Sequence, residues 1–132
     1  LVLEDDNYSY TGGAHGMFIA NYAVFDLVSG KRLMLNDLLL PGWEKKLRPI
    51  LKAGVLAQFS ERKGEKATDD DLLIEGPFPV SRNFFVTRAG IGFHYDVYEV
   101  ACYAAGTFDV VLPWSKLARL LKPGTALDRL RR

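Results

Sequence analysis

The sequence lacks the features that define several large classes of protein. It contains one cysteine, Cys102, so an internal disulfide cannot form, and no apolar run reaches the length of about 18 residues that crosses a membrane as a helix. Seventeen lysines and arginines against sixteen aspartates and glutamates give a formal net charge of +1, without the strongly basic surface typical of nucleic-acid-binding proteins. We therefore expect no nucleic-acid partner and no membrane span within this chain.

Motifs for metals and cofactors are absent as well. The stretch "TGGAHG" lacks the lysine and the Ser/Thr of a phosphate-binding loop, and no HxH, HExxH or CxxC spacing is present. A metal site would have to combine His15, His94, Asp96 and Glu99, of which only His94 and Asp96 share one face of a predicted strand. We interpret that face as a half-exposed polar surface, and we expect no metal and no cofactor.

The cysteine is not expected to act as a nucleophile. Catalysis would require an accessible thiolate with a base such as His15 or His94 close by. Cys102 instead lies in "EVACYAAG", among small apolar residues, which is typical of a buried and unreactive thiol. We therefore assign no catalytic residue.

The sequence does contain enough apolar material for one folded domain, which we expect to span residues 1–132. Apolar residues make up 48% of the chain. Leu47, Leu51 and Val55 recur every fourth residue and predict a long helix over about 44–62, and a short helix is predicted over about 114–121. With several strands as the remaining elements, the sequence predicts an α+β fold with a largely antiparallel sheet.

Two strand predictions bear on the site. Residues 17–27, "MFIANYAVFDL", are apolar on both alternating faces, which is typical of a central strand covered on both sides. A hairpin is predicted around "RAG" at residues 88–90, where Gly90 can supply the positive φ that a short hairpin loop needs.

The most unusual stretch is "YSYTGGAHGMF" at residues 8–18. It places three glycines and one of the two histidines, His15, between an aromatic, alternating segment and a long apolar one. The glycines suit a tight turn between two strands, in which His15 would bond only to backbone groups. The same loop could equally approach the backbone of a partner closely. Composition favours neither interpretation.

Three segments of the chain match the pattern of one known family. They read "YSYTGGAHG", "NYAVFDLVSGKRLMLNDLL" and "NFFVTRAGIGFHYDVYEVACYAAGTFDVVLPWSKL". In these segments the chain resembles the domain-of-unknown-function family 3298, and the resemblance extends over residues 8–121.

The resemblance implies an extracytoplasmic domain of a bacterial envelope protein. Relatives include the extracellular domain of the anti-sigma factor RsiV, which serves as a receptor for lysozyme, and an accessory domain of the peptidoglycan deacetylase PdaC. It also implies that this chain is the C-terminal part of a longer envelope protein, with anchoring and a partner region possible upstream. The fold can be transferred from such relatives more safely than the ligand.

The segments 10–16 and 98–106 carry the candidate site. The candidate binding surface consists of Tyr10, Gly12, Gly13, His15, Tyr98, Glu99 and Tyr103. A competing interpretation is that both segments are shared within the family only because a turn and a core need them.

Three functions remain open on the sequence. The first is a non-catalytic binding or sensing domain for a lysozyme-like protein or a cell-wall glycan, which needs an exposed aromatic or apolar patch. The alternative is a cell-wall-directed hydrolase or deacetylase that uses His15 and a carboxylate such as Glu99 as acid and base. Such an enzyme needs these groups to converge in a pocket with displaced pKa values. The third is a purely structural module, which would show neither feature.

Overall fold

The alternating and helical segments form two three-stranded antiparallel sheets, one long helix and several single turns of helix, described for residues 1–129 in this computed structural model. In chain order, the elements are β1 (Val2–Ser9), β2 (Met17–Phe25), β3 (Arg32–Leu33), α1 (Leu35–Leu38), α2 (Trp43–Lys63), β4 (Phe84–Val86), β5 (Gly90–Tyr95), β6 (Phe108–Pro113) and α3 (Trp114–Leu117). The order is β1-β2-β3 in one sheet and β4-β5-β6 in the other. The α+β class is confirmed.

Both predicted helices are present, but only the long one has bounds close to the predicted ones. The long one, α2, runs from Trp43 to Lys63 and includes Pro49. The short one, α3, ends at Leu117 rather than near residue 121. The chain leaves the helix there because residues 120–122 bond with 38–40, where Leu120 accepts the N–H of Leu40 and Lys122 donates to Leu38. None of the helices in residues 1–129 is both long and apolar enough to cross a membrane.

The core lies between α2 and the second sheet. The face of α2 that carries Trp43, Leu47, Leu51 and Val55 is buried, as the fourth-residue spacing predicts. Gly54 allows α2 to pack closely on β6, because a Cβ at this position would overlap the side chain of Val110.

β2 is the central strand of its sheet, as predicted for residues 17–27, but the prediction that it is covered on both sides is wrong, and the strand that is covered in this way is β5. All six residues of β5 are buried, whereas β2 buries Ala20 and Val24 and exposes Phe18 and Ile19. Apolar side chains on both faces are compatible with burial but do not cause it, because the neighbouring elements decide what is covered.

Gly90 is required for a reason other than the predicted one. The hairpin between β4 and β5 is present, but Gly90 does not adopt a positive φ. It is buried at the start of β5, where a Cβ would overlap the carbonyl group of Leu112 on β6. The glycine therefore serves the close approach of two strands.

Side chains join the two sheets where backbone pairing stops. Asn83 accepts the N–H of Tyr22 at 2.8 Å and donates to the carbonyl of Ala20 at 2.7 Å. Asp96 Oδ1 accepts the N–H of Ala20 at 3.0 Å. These bonds satisfy the N–H and C=O of Ala20 and the N–H of Tyr22 on the edge of β2 that faces away from β1, and they hold the β1–β2 hairpin against the second sheet.

Candidate functional site

The glycine-rich loop connects β1 to β2, so the prediction of a strand-to-strand turn is confirmed. Gly12 and Gly13 have φ values of 103° and 97°, in a region that other residues rarely enter. The hydroxyl of Tyr10 donates to the carbonyl of Gly13 at 2.9 Å, which closes the loop on itself. Tyr10 and both glycines thus shape the loop.

The base of the loop is packed by an aromatic ring. Tyr8 lies over the buried Gly16, and a Cβ on Gly16 would overlap the end of that ring. The last glycine of the loop thus makes room for the tyrosine, and the chain enters β2 beneath it.

Three rings meet beside this loop, namely His15, Tyr98 and Tyr103, which we call the ring cluster. His15 stacks on Tyr103 with 3.6 Å between ring centroids and 7° between ring planes. Its Nε2 lies 3.0 Å from the hydroxyl oxygen of Tyr98, and the centroids of Tyr98 and Tyr103 are 5.7 Å apart. The structure therefore brings together one residue from the first candidate segment and two from the second.

The two ring nitrogens of His15 have different partners. Nδ1 lies 3.4 Å from the carbonyl of Gly16, while Nε2 faces the hydroxyl of Tyr98. A carbonyl can only accept, whereas the hydroxyl of Tyr98 can donate or accept. His15 therefore does more than bond to its own loop, because it fixes the loop to the segment 98–103.

Tyr98 is held in an unusual backbone conformation. With a φ of 68°, it is the non-glycine residue with positive φ in the described chain, and 47% of its surface is exposed. This conformation follows β5, where the N–H of Glu99 donates to the carbonyl of Asp96 at 3.2 Å. Strained residues of this kind concentrate at functional sites, and here the turn presents the tyrosine ring to His15.

Glu99 is not part of the ring cluster. Its Oε1 accepts the N–H of Asp96 at 3.3 Å, and it has no hydrogen bond to His15 among residues 1–129. Desolvation raises the pKa of the Glu99 carboxyl above its usual range, although part of the residue stays exposed, and the Asp96 N–H opposes that rise. His15 and Glu99 therefore each have a hydrogen-bond partner other than the other residue.

The prediction that His94 lies on a half-exposed face is wrong. His94 is only 3% exposed, with Nδ1 2.6 Å from Asp109 Oδ1 and Nε2 2.9 Å from Asp96 Oδ1. Burial opposes a charge on the ring, but the hydrogen bonds to Asp109 and Asp96 outweigh it and raise the pKa of His94 to about 9. Each ring nitrogen of His94 thus faces a carboxylate oxygen, an arrangement that suits a protonated ring.

The triad of His94, Asp96 and Asp109 connects three strands. His94 and Asp109 are cross-strand neighbours on β5 and β6, and Asp96 also holds β2 through Ala20. The sequence offered one signal for Asp109, since an antiparallel β5–β6 pairing places an acid opposite the histidine, but the register was not known. Among residues 1–129, no group of three side chains is arranged to hold a metal ion.

The prediction that Cys102 is buried is also wrong, because the thiol residue is exposed. Its neighbour Ala101 takes the inward position and forms a bridge with Leu72. Cys102 then precedes the helical turn Tyr103–Ala105, which turns its side chain to the surface.

The family assignment rests on the central part of the chain. A family model described as "Protein of unknown function (DUF3298)" matches residues 36–115, more than half of the 132 residues. The chain belongs to the DUF3298 family. The matched range includes Tyr98 and Tyr103 but not the loop that carries His15.

Solved DUF3298 structures share this fold. A family member from Bacteroides fragilis superposes with a TM-score of 0.78 at 23% identity, covering 98% of this chain and 51% of that one. A Pseudomonas aeruginosa family member gives a TM-score of 0.74 at 25% identity, covering 92% and 55%. The chain therefore spans about half the length of each.

One similar protein has a named activity. The chain is 27% identical over 121 residues to the peptidoglycan-N-acetylmuramic acid deacetylase PdaC of Bacillus subtilis, covering 89% of this chain and 25% of that protein. The aligned part of this chain thus corresponds to a quarter of the length of that protein.

Proposed function

We propose that this DUF3298 domain is a non-catalytic binding domain that acts outside the cytoplasm and recognises a glycan of the bacterial cell wall with its ring cluster. The observation that carries the proposal is the stacking of His15 on Tyr103 beside the exposed Tyr98. These rings belong to segments far apart in the sequence, and their arrangement is fixed before any ligand arrives.

The chemistry of the ring cluster suits a sugar. Exposed tyrosines combine an apolar ring face with a hydroxyl that can donate or accept a hydrogen bond. A pyranose ring presents apolar C–H groups on its faces and hydroxyl groups around its edge, so it can contact both parts of such a side chain. Prior fixation of the rings reduces the conformational entropy that binding would cost.

The similarity to a peptidoglycan deacetylase supports the choice of glycan and the extracytoplasmic location. The substrate in that enzyme's name is a component of peptidoglycan, and the domain accounts for only part of its length. A domain that holds the polymer near a separate catalytic domain would raise the effective concentration of substrate.

The hydrogen bonds of His15 and Glu99, the two residues that would serve as acid and base, favour binding over catalysis. His15 faces the hydroxyl of Tyr98 rather than a carboxylate, and Glu99 accepts a backbone N–H. An acid–base mechanism needs its groups within hydrogen-bond reach of one reacting centre.

The test is sedimentation of the purified domain with insoluble peptidoglycan. Tyr98→Asn removes a ring while keeping a residue that tolerates positive φ, and Tyr103→Ala removes the ring on which His15 stacks. We expect each to weaken binding by about tenfold or more, as for buried aromatic contacts at an interface. Leu73→Ala, at a residue that is 58% exposed and outside the cluster, is the matched control and should bind normally.

A protein ligand, such as a lysozyme-like cell-wall hydrolase, is the second candidate. It is favoured by apolar side chains of the β1–β2 hairpin that remain exposed, among them Leu3 at 50% and Tyr8 at 67%. Capture of lysozyme without retention of peptidoglycan would support this candidate and contradict the glycan proposal. If Tyr98→Asn and Leu73→Ala bind peptidoglycan equally well, the ring cluster is not the site.

A further inference from the structure

Asp96 lies between the two segments that carry the ring cluster. It precedes Tyr98 by two residues, and its Oδ1 accepts the N–H of Ala20 at 3.0 Å. Ala20 is on β2, five residues after His15. The same oxygen lies 2.9 Å from Nε2 of His94, which holds the carboxylate from a second side. One carboxylate therefore sets the position of the strand that follows the His15 loop relative to the turn that carries Tyr98.

The backbone of Asp96 also shapes the turn that presents Tyr98. Its carbonyl accepts the N–H of Glu99 at 3.2 Å, and its N–H donates to Oε1 of Glu99 at 3.3 Å. Tyr98 is the third residue of this turn, with a φ of 68°, at a position where glycine or asparagine is usual. Another residue keeps such a conformation only when its surroundings enforce it. The two bonds between Asp96 and Glu99 close the turn and help to enforce it.

The third ring of the cluster is anchored on a different element. Tyr103 begins the helical turn Tyr103–Ala105. Arg62 of α2 donates to the carbonyl of Ala105 at 2.7 Å, which ties this turn to the long helix. A change at Asp96 would therefore move the other two rings relative to a ring whose position depends on α2.

We propose that Asp96 is a positioning residue for the ring cluster, because its carboxylate aligns the β1–β2 hairpin with the turn 96–99 so that His15 meets Tyr98 and Tyr103. The inference rests on the glycan-binding function proposed above, since it assigns Asp96 a role in preparing that site. Asp96 acts through Ala20 and through the turn, and the ligand contacts the rings.

A competing role for Asp96 is purely electrostatic, as a negative charge beside His94. The two roles make opposite demands on the side chain. Positioning requires an acceptor oxygen at this place, which an uncharged amide also supplies. A purely electrostatic role requires the charge and tolerates a small displacement of the carboxylate.

Two substitutions separate these roles. Asp96→Asn keeps the length of the side chain and an acceptor oxygen but removes the charge, whereas Asp96→Glu keeps the charge and moves the carboxylate farther out by a methylene group. Only 14% of the Asp96 side chain is exposed, so the longer side chain has to displace its neighbours. We expect Asp96→Asn to keep the ring cluster and Asp96→Glu to disrupt it. Asp109→Asn, which removes the other carboxylate at His94, is the matched control and should leave the rings in place.

Two measurements report on each variant. NOEs between the ring protons of His15 and Tyr103 report their stacking without any ligand, because the ring centroids are 3.6 Å apart. Sedimentation with insoluble peptidoglycan reports the affinity. In Asp96→Glu we expect these NOEs to be lost and the affinity to fall about three- to tenfold, as when binding has to order side chains that were fixed beforehand. In Asp96→Asn both should match the unmodified domain.

A second variant covers the case in which Asp96→Glu does not fold. Asp96→Ala adds no atoms to the site, and Asn83 still holds Ala20 through its carbonyl. This variant removes the acceptor oxygen together with the charge, so the NOEs between His15 and Tyr103 should again be lost.

The proposal is overturned if these NOEs persist in Asp96→Glu or Asp96→Ala, because the place of the oxygen would then not matter. It is also overturned if they are lost in Asp96→Asn and kept in Asp96→Glu, because the charge alone would then matter. If the unmodified domain does not sediment with peptidoglycan, the glycan-binding function fails, and the NOEs still decide the role of Asp96. Loss of the NOEs with unchanged sedimentation would confirm that Asp96 positions the rings and would exclude the ring cluster as the glycan site.

Discussion

The stability of the domain should depend on pH through the triad of His94, Asp96 and Asp109. The folded-state pKa of His94 is raised from 6.5 to about 9. A histidine that gains affinity for its proton on folding contributes stability that is fully present below the unfolded pKa of 6.5. That stability is lost as the pH rises through about 9.

The size of the stability change follows from the pKa shift of His94 and from the solvent exposure of the carboxylates around it. A rise of this kind corresponds to roughly 3 kcal/mol, since each pKa unit is worth about 1.4 kcal/mol. His94 and Asp96 are largely buried, but the side chain of Asp109 is 47% exposed, so solvent screens its contribution. We therefore expect a decrease of about 2 kcal/mol in the free energy of unfolding between pH 6 and pH 9.5.

The perturbation that isolates this effect is Asp109→Asn. The amide keeps the shape of the side chain but removes one of the two carboxylates around His94, so the pKa of the ring should fall and the free energy of unfolding at pH 7 should drop by about 1 to 2 kcal/mol. Urea denaturation at several pH values between 6 and 9.5 gives the free energy of unfolding for both proteins. NMR titration of the His94 ring gives its pKa directly.

His15→Gln is the control, because it removes the exposed histidine and leaves the triad intact. It should retain the pH dependence of the unmodified chain, whereas Asp109→Asn should flatten it. The reasoning is refuted if His94 titrates near 6.5 in the folded protein. It is equally refuted if Asp109→Asn keeps the full decrease in stability between pH 6 and 9.5.

Three further predictions concern the fold around the site. Asn83→Ala should lower the free energy of unfolding by about 1 to 3 kcal/mol in thermal or urea denaturation, because it leaves backbone groups of β2 without partners; an unchanged value would show that water replaces the amide. Gly90→Ala should lower the free energy of unfolding by more than about 3 kcal/mol, because the new Cβ would overlap the backbone of Leu112. Gly16→Ala should cost less than about 1 kcal/mol, because its Cβ would meet only the end of the exposed Tyr8 ring. Cys102 should react fully with a thiol reagent in the folded protein, and protection that disappears only on denaturation would contradict its exposed position.

The amino-acid sequence determined the elements whose signal is local. The spacing of Leu47, Leu51 and Val55 predicted α2 and the face that it buries, and the glycines of residues 12–16 predicted the turn between β1 and β2. These features depend on side-chain period and on backbone freedom, which are properties of neighbouring residues. The family resemblance came from similar local segments, and the family assignment is confirmed.

The tertiary structure alone decided what each segment faces. Residues 17–27 carry apolar side chains on both faces of the strand, yet β2 is partly exposed. All residues of β5 are buried instead. The difference arises because the elements that cover a strand are distant from it in the sequence. The charge of His94 depends on Asp109, and the stacking of His15 depends on Tyr103, which lies 88 residues further along the chain. Long-range register and close packing determine pKa values and ring contacts, and no local pattern records them.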